Sequence, residues 1–154
     1  MVVLTCLNVY ATIRIILHAS SSHIKTISVL NVLSYGINMY DNTRGVGSTH
    51  AEANAIDKLK PLPNNKKNLK NINILVIKTS KTGKLGMSKP CFKCIIDMRS
   101  LPQTKGYIIK NILYSNCDGE IVTTKLIDLL EDANPHVSRF YKNHNYQHPL
   151  LKKN

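Results

Sequence analysis

The sequence is short of acidic residues and cysteines, and each shortage excludes a class of protein. Only 9 of its 154 residues are Asp or Glu, against 21 Lys and Arg, which gives a formal charge of +12. Four cysteines are too few for a disulfide scaffold and favour metal or redox chemistry in a reducing compartment, for which we expect the cytoplasm. With 43% hydrophobic and 19% charged residues, the chain is neither a disordered polyelectrolyte nor a low-complexity fibre.

The first apolar segment, Val2 to Leu17, lacks the features of a membrane span and of a secretory signal. A spanning helix needs about 20 predominantly apolar residues, and Arg14 near the middle of this run would be costly in a bilayer. No positive charge precedes the run, as a secretory signal would require. We therefore predict a buried N-terminal helix within residues 1–23 and no membrane partner.

Acidic residues are absent from residues 58–96, where ten lysines lie. A basic stretch of this size raises nucleic acid, phosphate groups and acidic surfaces as binding partners. The sequence therefore does not exclude nucleic acid as a partner.

The pattern of apolar residues and turn signals predicts alternating strands and helices. The strands are expected at Lys25–Leu30, Val32–Tyr40, Ile72–Lys78, Tyr107–Tyr114 and Glu120–Leu126, and the helices at Ala51–Leu59, Pro90–Arg99 and Leu126–Glu131. The first two strands, separated only around Asn31, are expected to form a hairpin. Pro90 suits the first position of its helix.

This order predicts one α/β domain over residues 1–132, followed by a basic, aromatic tail over residues 133–154. The expected architecture has three layers, α/β/α, around a five-stranded mixed sheet. The last two strands must be antiparallel, because the connection Ser115–Gly119 is much too short for a parallel crossover.

Two short motifs carry the candidate chemistry: His50-Ala51-Glu52 and Pro90-Cys91-Phe92-Lys93-Cys94. Each opens a predicted helix that follows a strand, so both are expected at the same edge of the sheet. Cys91 and Cys94 share one helical face. Together with His50 they would give zinc three protein ligands and leave the fourth position open, as a catalytic site requires. We expect one zinc ion per chain, with Glu52 beside a zinc-bound water as a general base.

Other interpretations of these residues stay open. Thr49 and Glu52 have the spacing of a capping box, in which Glu52 would only stabilise the start of its helix. Cys91 and Cys94 could form a redox pair, although this would leave His50 and Glu52 without a role. Cys117 lies in the last predicted turn, where a structural role is expected.

These motifs resemble the signature of the zinc-dependent cytidine and deoxycytidylate deaminase superfamily. The resemblance implies that a zinc-bound hydroxide attacks C4 of a cytosine-type base, with Glu52 as the proton shuttle. Gly36-Ile37-Asn38 is similar to a Gly-x-Asn element of the family, which implies that Asn38 contacts the substrate; Ala51 is expected to do the same. The resemblance also implies a homo-oligomer.

The resemblance does not select one branch of this superfamily. A histidine ligand such as His50 is similar to the deoxycytidylate and tRNA-adenosine deaminase branches. Antiparallel last strands are instead similar to the free cytidine and blasticidin-type enzymes. Among the lysines expected near the zinc edge of the sheet, Lys81, Lys84 and Lys89 are predicted phosphate contacts.

We therefore expect a zinc-dependent hydrolase that deaminates a cytosine-type base in cytidine, deoxycytidine or their monophosphates. One alternative is a polynucleotide-editing deaminase that acts on cytosine or adenosine in RNA or single-stranded DNA. A second alternative is a zinc-stabilised binding module without catalysis. An editing enzyme would need a positively charged groove and strongly salt-dependent binding.

Overall fold

A computed structural model describes residues 2–6, 32–39, 49–63, 68–138 and 141–142 of the chain. Within them lies a six-stranded sheet of order β2-β1-β3-β5-β6, with the short β4 paired to β3. The strands are β1 (Val2–Cys6), β2 (Val32–Ile37), β3 (Lys70–Thr79), β4 (Leu85–Gly86), β5 (Tyr107–Ser115) and β6 (Ile121–Lys125). The helices are α1 (Ala51–Asp57), α2 (Phe92–Ser100) and α3 (Leu126–Leu130), with a 3-10 helix at Leu101–Lys105.

The sheet is mixed, which confirms the predicted α/β class. Strands β1, β2, β3 and β5 run parallel to one another, whereas β4 is antiparallel to β3 and β6 is antiparallel to β5. The connection from β5 to β6 is a tight turn in which Asn116 Oδ1 accepts hydrogen bonds from the backbone N–H groups of Asp118 and Glu120. Gly119 adopts φ 81°, a conformation that favours glycine. The predicted antiparallel pairing of the last two strands is therefore confirmed.

The prediction for the N-terminal segment is wrong at its start. Val2–Cys6 is a strand, and it lies between β2 and β3 in parallel with both. A short apolar run fits a buried strand or a buried helix equally well, and here pairing with distant strands decides. The described sheet differs from the expected five-stranded one because it includes β1 and the short β4. The rest of the predicted N-terminal helix and the predicted strand Lys25–Leu30 lie outside the described residues.

The core lies between one face of the sheet and the three helices. Ile72, Ile74 and Val76 alternate along β3 and are almost fully buried. They belong to one apolar cluster with Ile56 of α1, with Ile95 of α2, and with further residues of β5 and α3. Burial of this apolar surface holds the starts of α1 and α2 against the sheet. Among the described residues, no helix is long and apolar enough to cross a membrane.

Candidate metal centre

The two motifs lie where α1 and α2 begin; α1 starts at Ala51 as predicted, whereas α2 starts two residues later than predicted. His50 is the N-cap of α1 (φ −70°, ψ 153°) and Cys91 is the N-cap of α2 (φ −75°, ψ 160°). Helix α2 therefore begins at Phe92, and Pro90 lies in the extended segment before it. Neither N-cap side chain makes a capping hydrogen bond to its helix. Both side chains instead contact each other and Cys94.

The structure brings His50, Cys91 and Cys94 together in a tight triangle, which we call the metal triangle. His50 Nδ1 lies 3.1 Å from Cys94 Sγ and 3.4 Å from Cys91 Sγ, and the two sulfur atoms are 3.5 Å apart. A tetrahedral zinc ion, bonded at about 2.3 Å to sulfur and about 2.0 Å to nitrogen, spaces such ligands roughly 3.5–3.8 Å apart. The triangle thus fits zinc after a small expansion. Among the described residues, these three form the group that could hold a metal ion.

The protonation of the metal triangle also suits a metal ion. A hydrogen bond from Cys94 lowers the pKa of the Cys91 thiol to about 4, so Cys91 is a thiolate near neutral pH. The pKa of Cys94 is raised, because Cys94 donates that hydrogen bond and is buried. The pKa of His50 is raised by its hydrogen bond with Cys91. A bound cation would replace the shared protons and hold both sulfurs as thiolates.

Glu52 lies beside the metal triangle as a buried carboxylate. Its side chain is only 2% exposed, and Oε2 has no hydrogen-bond partner among the described residues. Burial raises the pKa of Glu52. The alternative prediction is a capping box formed by Thr49 and Glu52. The N-cap of α1 is His50 instead of Thr49, and no side-chain capping bond is made, so Glu52 does not have that role. A buried, partly unsatisfied acid is costly to a fold, which favours a functional role.

Strand β2 fixes the position of α1. Gly36 has no side chain, and a Cβ there would lie 2.0 Å from the carbonyl oxygen of Ala51. The Oδ1 atom of Asn38 accepts a hydrogen bond of 2.8 Å from the backbone N–H of Ala51. Met39 and Thr49 exchange two backbone hydrogen bonds of 2.9 Å. The chain thus enters α1 with His50 held at the edge of the sheet.

A buried serine pair fixes the loop that carries Cys91. Ser88 Oγ donates to the carbonyl of Val76 at 2.8 Å and accepts from the backbone N–H of Ser115 at 2.8 Å. The Oγ atoms of Ser88 and Ser115 are 2.7 Å apart, and both residues are almost fully buried. Sequence reasoning missed this pair, because a serine three residues before Cys91 carries no signal of its distant partners.

Part of the predicted C-terminal tail lies against the start of α2. The backbone N–H of Phe92 donates a 2.7 Å hydrogen bond to the carbonyl of His136. Just before this contact, Asp132 forms an ion pair with Lys89, with an Nζ–Oδ2 distance of 2.7 Å. Sequence reasoning did not assign these residues to the site. The motif residues alone do not indicate which segment accepts a hydrogen bond from the first backbone N–H of α2.

A cavity of about 200 Å³ lies next to the metal triangle. Its described lining consists of Thr49, His50, Ala53, Lys93, Cys94, Asp97 and Tyr141. The ion pair between Lys93 and Asp97 closes one side, with N–O distances of 2.5 and 2.6 Å. Asn38 and Ala51, the predicted substrate contacts, are not among these lining residues.

The other predicted site residues are not part of the metal triangle. Lys81 and Lys84 are exposed in the turn between β3 and β4. Lys89 is engaged by Asp132 instead. Cys117 is exposed in the turn between β5 and β6 and is not part of the metal group.

No protein-family model matches the chain, and neither a curated protein nor a solved structure matches it significantly.

Proposed function

We propose that the protein is a zinc-dependent hydrolytic deaminase that acts on a cytosine-type base in a small nucleoside or nucleotide. The observation that carries this proposal is the pairing of a His/Cys/Cys triangle with a buried carboxylate, Glu52, that has an unbonded oxygen. A purely structural zinc site would use four protein ligands and would need no such acid. The proposal includes a three-layer α/β/α arrangement for the whole domain.

His50, Cys91 and Cys94 would hold the zinc ion, one per chain. Zinc at three protein ligands activates a water molecule for hydrolysis by lowering its pKa. The residues around the triangle keep the ligands in place: the Ser88–Ser115 pair fixes the loop before Cys91, and the Met39–Thr49 bridge fixes the chain before His50.

Glu52 would move protons between the attacking water and the leaving amine. This role requires a carboxyl that binds a proton readily and releases it again near neutral pH. Burial raises the pKa of Glu52 toward that range. The unpartnered Oε2 atom is free of competing hydrogen bonds from the described residues, and so it is available for this transfer.

The surroundings of the site favour a small substrate. Of the four lysines predicted near the zinc edge, Lys89 is paired with Asp132 and Lys93 with Asp97. Of these four lysines, Lys81 and Lys84 form no ion pair with a described acid, which suits one phosphate group better than a long polyanion. Within the proposal, these two lysines are the candidate phosphate contacts, and Asn38 and Ala51 are the candidate base or sugar contacts.

Substitution of Glu52 tests this proposal. We expect Glu52→Gln to bind about one zinc per chain, as the wild type does, because Glu52 is not a ligand. Deamination of cytidine, deoxycytidine and their monophosphates, followed by ultraviolet absorbance, is expected to fall by at least about 100-fold. The matched control is Glu120→Gln, an exposed acid in the turn between β5 and β6.

Full activity in Glu52→Gln would contradict the mechanism. Activity restricted to oligonucleotides and abolished by moderate salt would replace the small-substrate proposal by the polynucleotide one. Zinc binding without activity on any of these substrates would favour the binding module.

A further inference from the structure

A second cavity, of about 470 Å³, lies at the edge of the sheet opposite the metal triangle. It is formed where β5 begins, where α2 ends and where β6 leads into α3. Its lining consists of Asn71, Arg99, Gln103, Ile108, Ile109, Lys110, Lys125, Leu126, Ile127 and Leu130. We call this cavity the basal cavity. It contains none of the candidate site residues.

The basal cavity borders an open stretch of sheet. Strand β6 pairs with β5 only from Asn111 to Ser115, because β6 ends at Lys125 and the chain turns into α3. The first residues of β5, from Tyr107 to Ile109, pair with β3 on one side, and the pairing is irregular at Lys110. On the other side, no strand within the described residues pairs with them. Backbone groups of such an edge are a template for an added strand.

The lining combines an apolar floor with a cationic rim. Ile108 is 37% exposed and Ile127 is 52% exposed, although both are large apolar side chains. Arg99, Lys110 and Lys125 are exposed around them, and none forms an ion pair with a described acid. The nearest carboxylate of α3, Asp128, accepts a hydrogen bond from the backbone N–H of Lys125 and so caps its own helix.

The chain itself has few acidic residues that could neutralise the positive charge of this rim. Of its nine acidic residues, only Asp41 lies outside the described part of the sequence. Residues 7–31, 64–67 and 143–154 contain basic residues and no acidic ones. A partner of opposite charge at this rim would therefore be another molecule.

We propose that the basal cavity binds an extended, acidic peptide segment of a partner protein. The segment adds as a short strand beside Tyr107–Lys110, so its backbone pairs with the open edge of β5. Its apolar side chains contact the floor formed by Ile108, Ile127 and Leu130, and its carboxylates reach Arg99, Lys110 and Lys125. This interaction is independent of the proposed deaminase activity.

Fluorescence anisotropy with a labelled peptide of alternating Asp and Leu, eight residues long, tests this inference. We expect Arg99→Glu/Lys110→Glu to weaken binding about tenfold, since two rim charges are reversed. The matched control Lys58→Glu/Lys142→Glu makes the same change in net charge at two exposed lysines that do not line the cavity, and it is expected to bind like the wild type. Circular dichroism verifies that each variant is folded. If the charge-reversal variant does not fold, Arg99→Gln/Lys110→Gln replaces it, and a smaller loss of peptide affinity is expected.

A second peptide, methylated on alternate backbone nitrogens, separates strand addition from simple charge attraction. We expect it to lose most of its affinity, because methylation removes the donors that would pair with β5. Equal binding of both peptides, equal binding by the rim variant and the control, or no peptide binding would overturn the inference. Binding of dodecanoate but not of the peptide at the same residues would overturn it too, in favour of a small amphipathic anion.

Discussion

His50 and Cys91 lie 41 residues apart in the sequence, yet their ligand atoms are 3.4 Å apart. Their residue types and their positions at the starts of two helices after strands were sufficient to predict that they meet with Cys94. The neighbours that hold them could not be predicted in the same way. Ser88, Ser115 and His136 act through hydrogen bonds to or from the main chain of distant residues, and such partners depend on the complete fold.

Substitution of one ligand should remove the metal. We expect Cys94→Ser to bind far less zinc than the wild type, because a hydroxyl replaces a thiolate and leaves two ligands of the triangle. The matched control is Cys117→Ser, which changes an exposed cysteine outside the metal group. Metal analysis by mass spectrometry after gel filtration measures both. Equal zinc content in the two variants would place the metal elsewhere.

His136 should make the stability of the metal-free protein dependent on pH. Burial lowers the pKa of His136 below its ordinary value of 6.5, so the folded state binds this proton less readily than the unfolded state. Its contribution to stability is therefore complete above pH 6.5 and is lost as the pH falls below that value. We expect the free energy of unfolding in urea to fall less between pH 7.5 and pH 5.5 in His136→Gln than in the wild type. An equal fall in both proteins would exclude His136 as the source.

At the scale of elements, the predictions succeeded where a local pattern is strong. Strand β3, the turn before β6 and helix α1 follow from an apolar run, an Asp-Gly pair and an alanine-rich segment. The predicted start of α2 at Pro90 is wrong, because Pro90 suits a first helical turn but here lies in the segment before Cys91. The predicted helix at Val2–Cys6 is a strand, and only its partners in the sheet distinguish the two.

The packing of α1 against β2 can be tested at Gly36. In Gly36→Ala the new Cβ would lie 2.0 Å from the carbonyl oxygen of Ala51 and 2.4 Å from the nitrogen of Ala55, so α1 must move. We expect a loss of about 1–3 kcal/mol in the free energy of unfolding. Zinc affinity should fall as well, because His50 moves with α1. Chemical denaturation and zinc titration measure the two effects.

Gly86→Ala is the control for this prediction. Nothing lies within 4 Å of a Cβ at Gly86. We expect its stability and zinc affinity to stay close to those of the wild type. Equal effects at Gly36 and Gly86 would show that close packing against α1 is not the cause.

At the scale of the whole molecule, the basic residues behind the net charge of +12 differ in whether an acidic residue pairs with them. Near the metal triangle, Lys89 and Lys93 are neutralised by Asp132 and Asp97. At the opposite edge, Arg99, Lys110 and Lys125 surround the basal cavity without an acidic partner among the described residues. The sequence alone indicates a basic protein but does not decide between nucleic acid, phosphate groups and acidic surfaces as its partner. Within our two proposals, the site at the metal triangle takes a small substrate and the basal cavity takes an acidic peptide.

The most direct test of the central claim is zinc reconstitution of the chelated protein. After removal of the metal, zinc is returned in steps, and deamination of cytidine, deoxycytidine and their monophosphates is followed by ultraviolet absorbance. Activity is expected to rise with the zinc content and to level off at about one ion per chain, as three ligands around one open position require. Activity that survives complete removal of zinc and does not respond to its return would contradict a zinc-dependent deaminase.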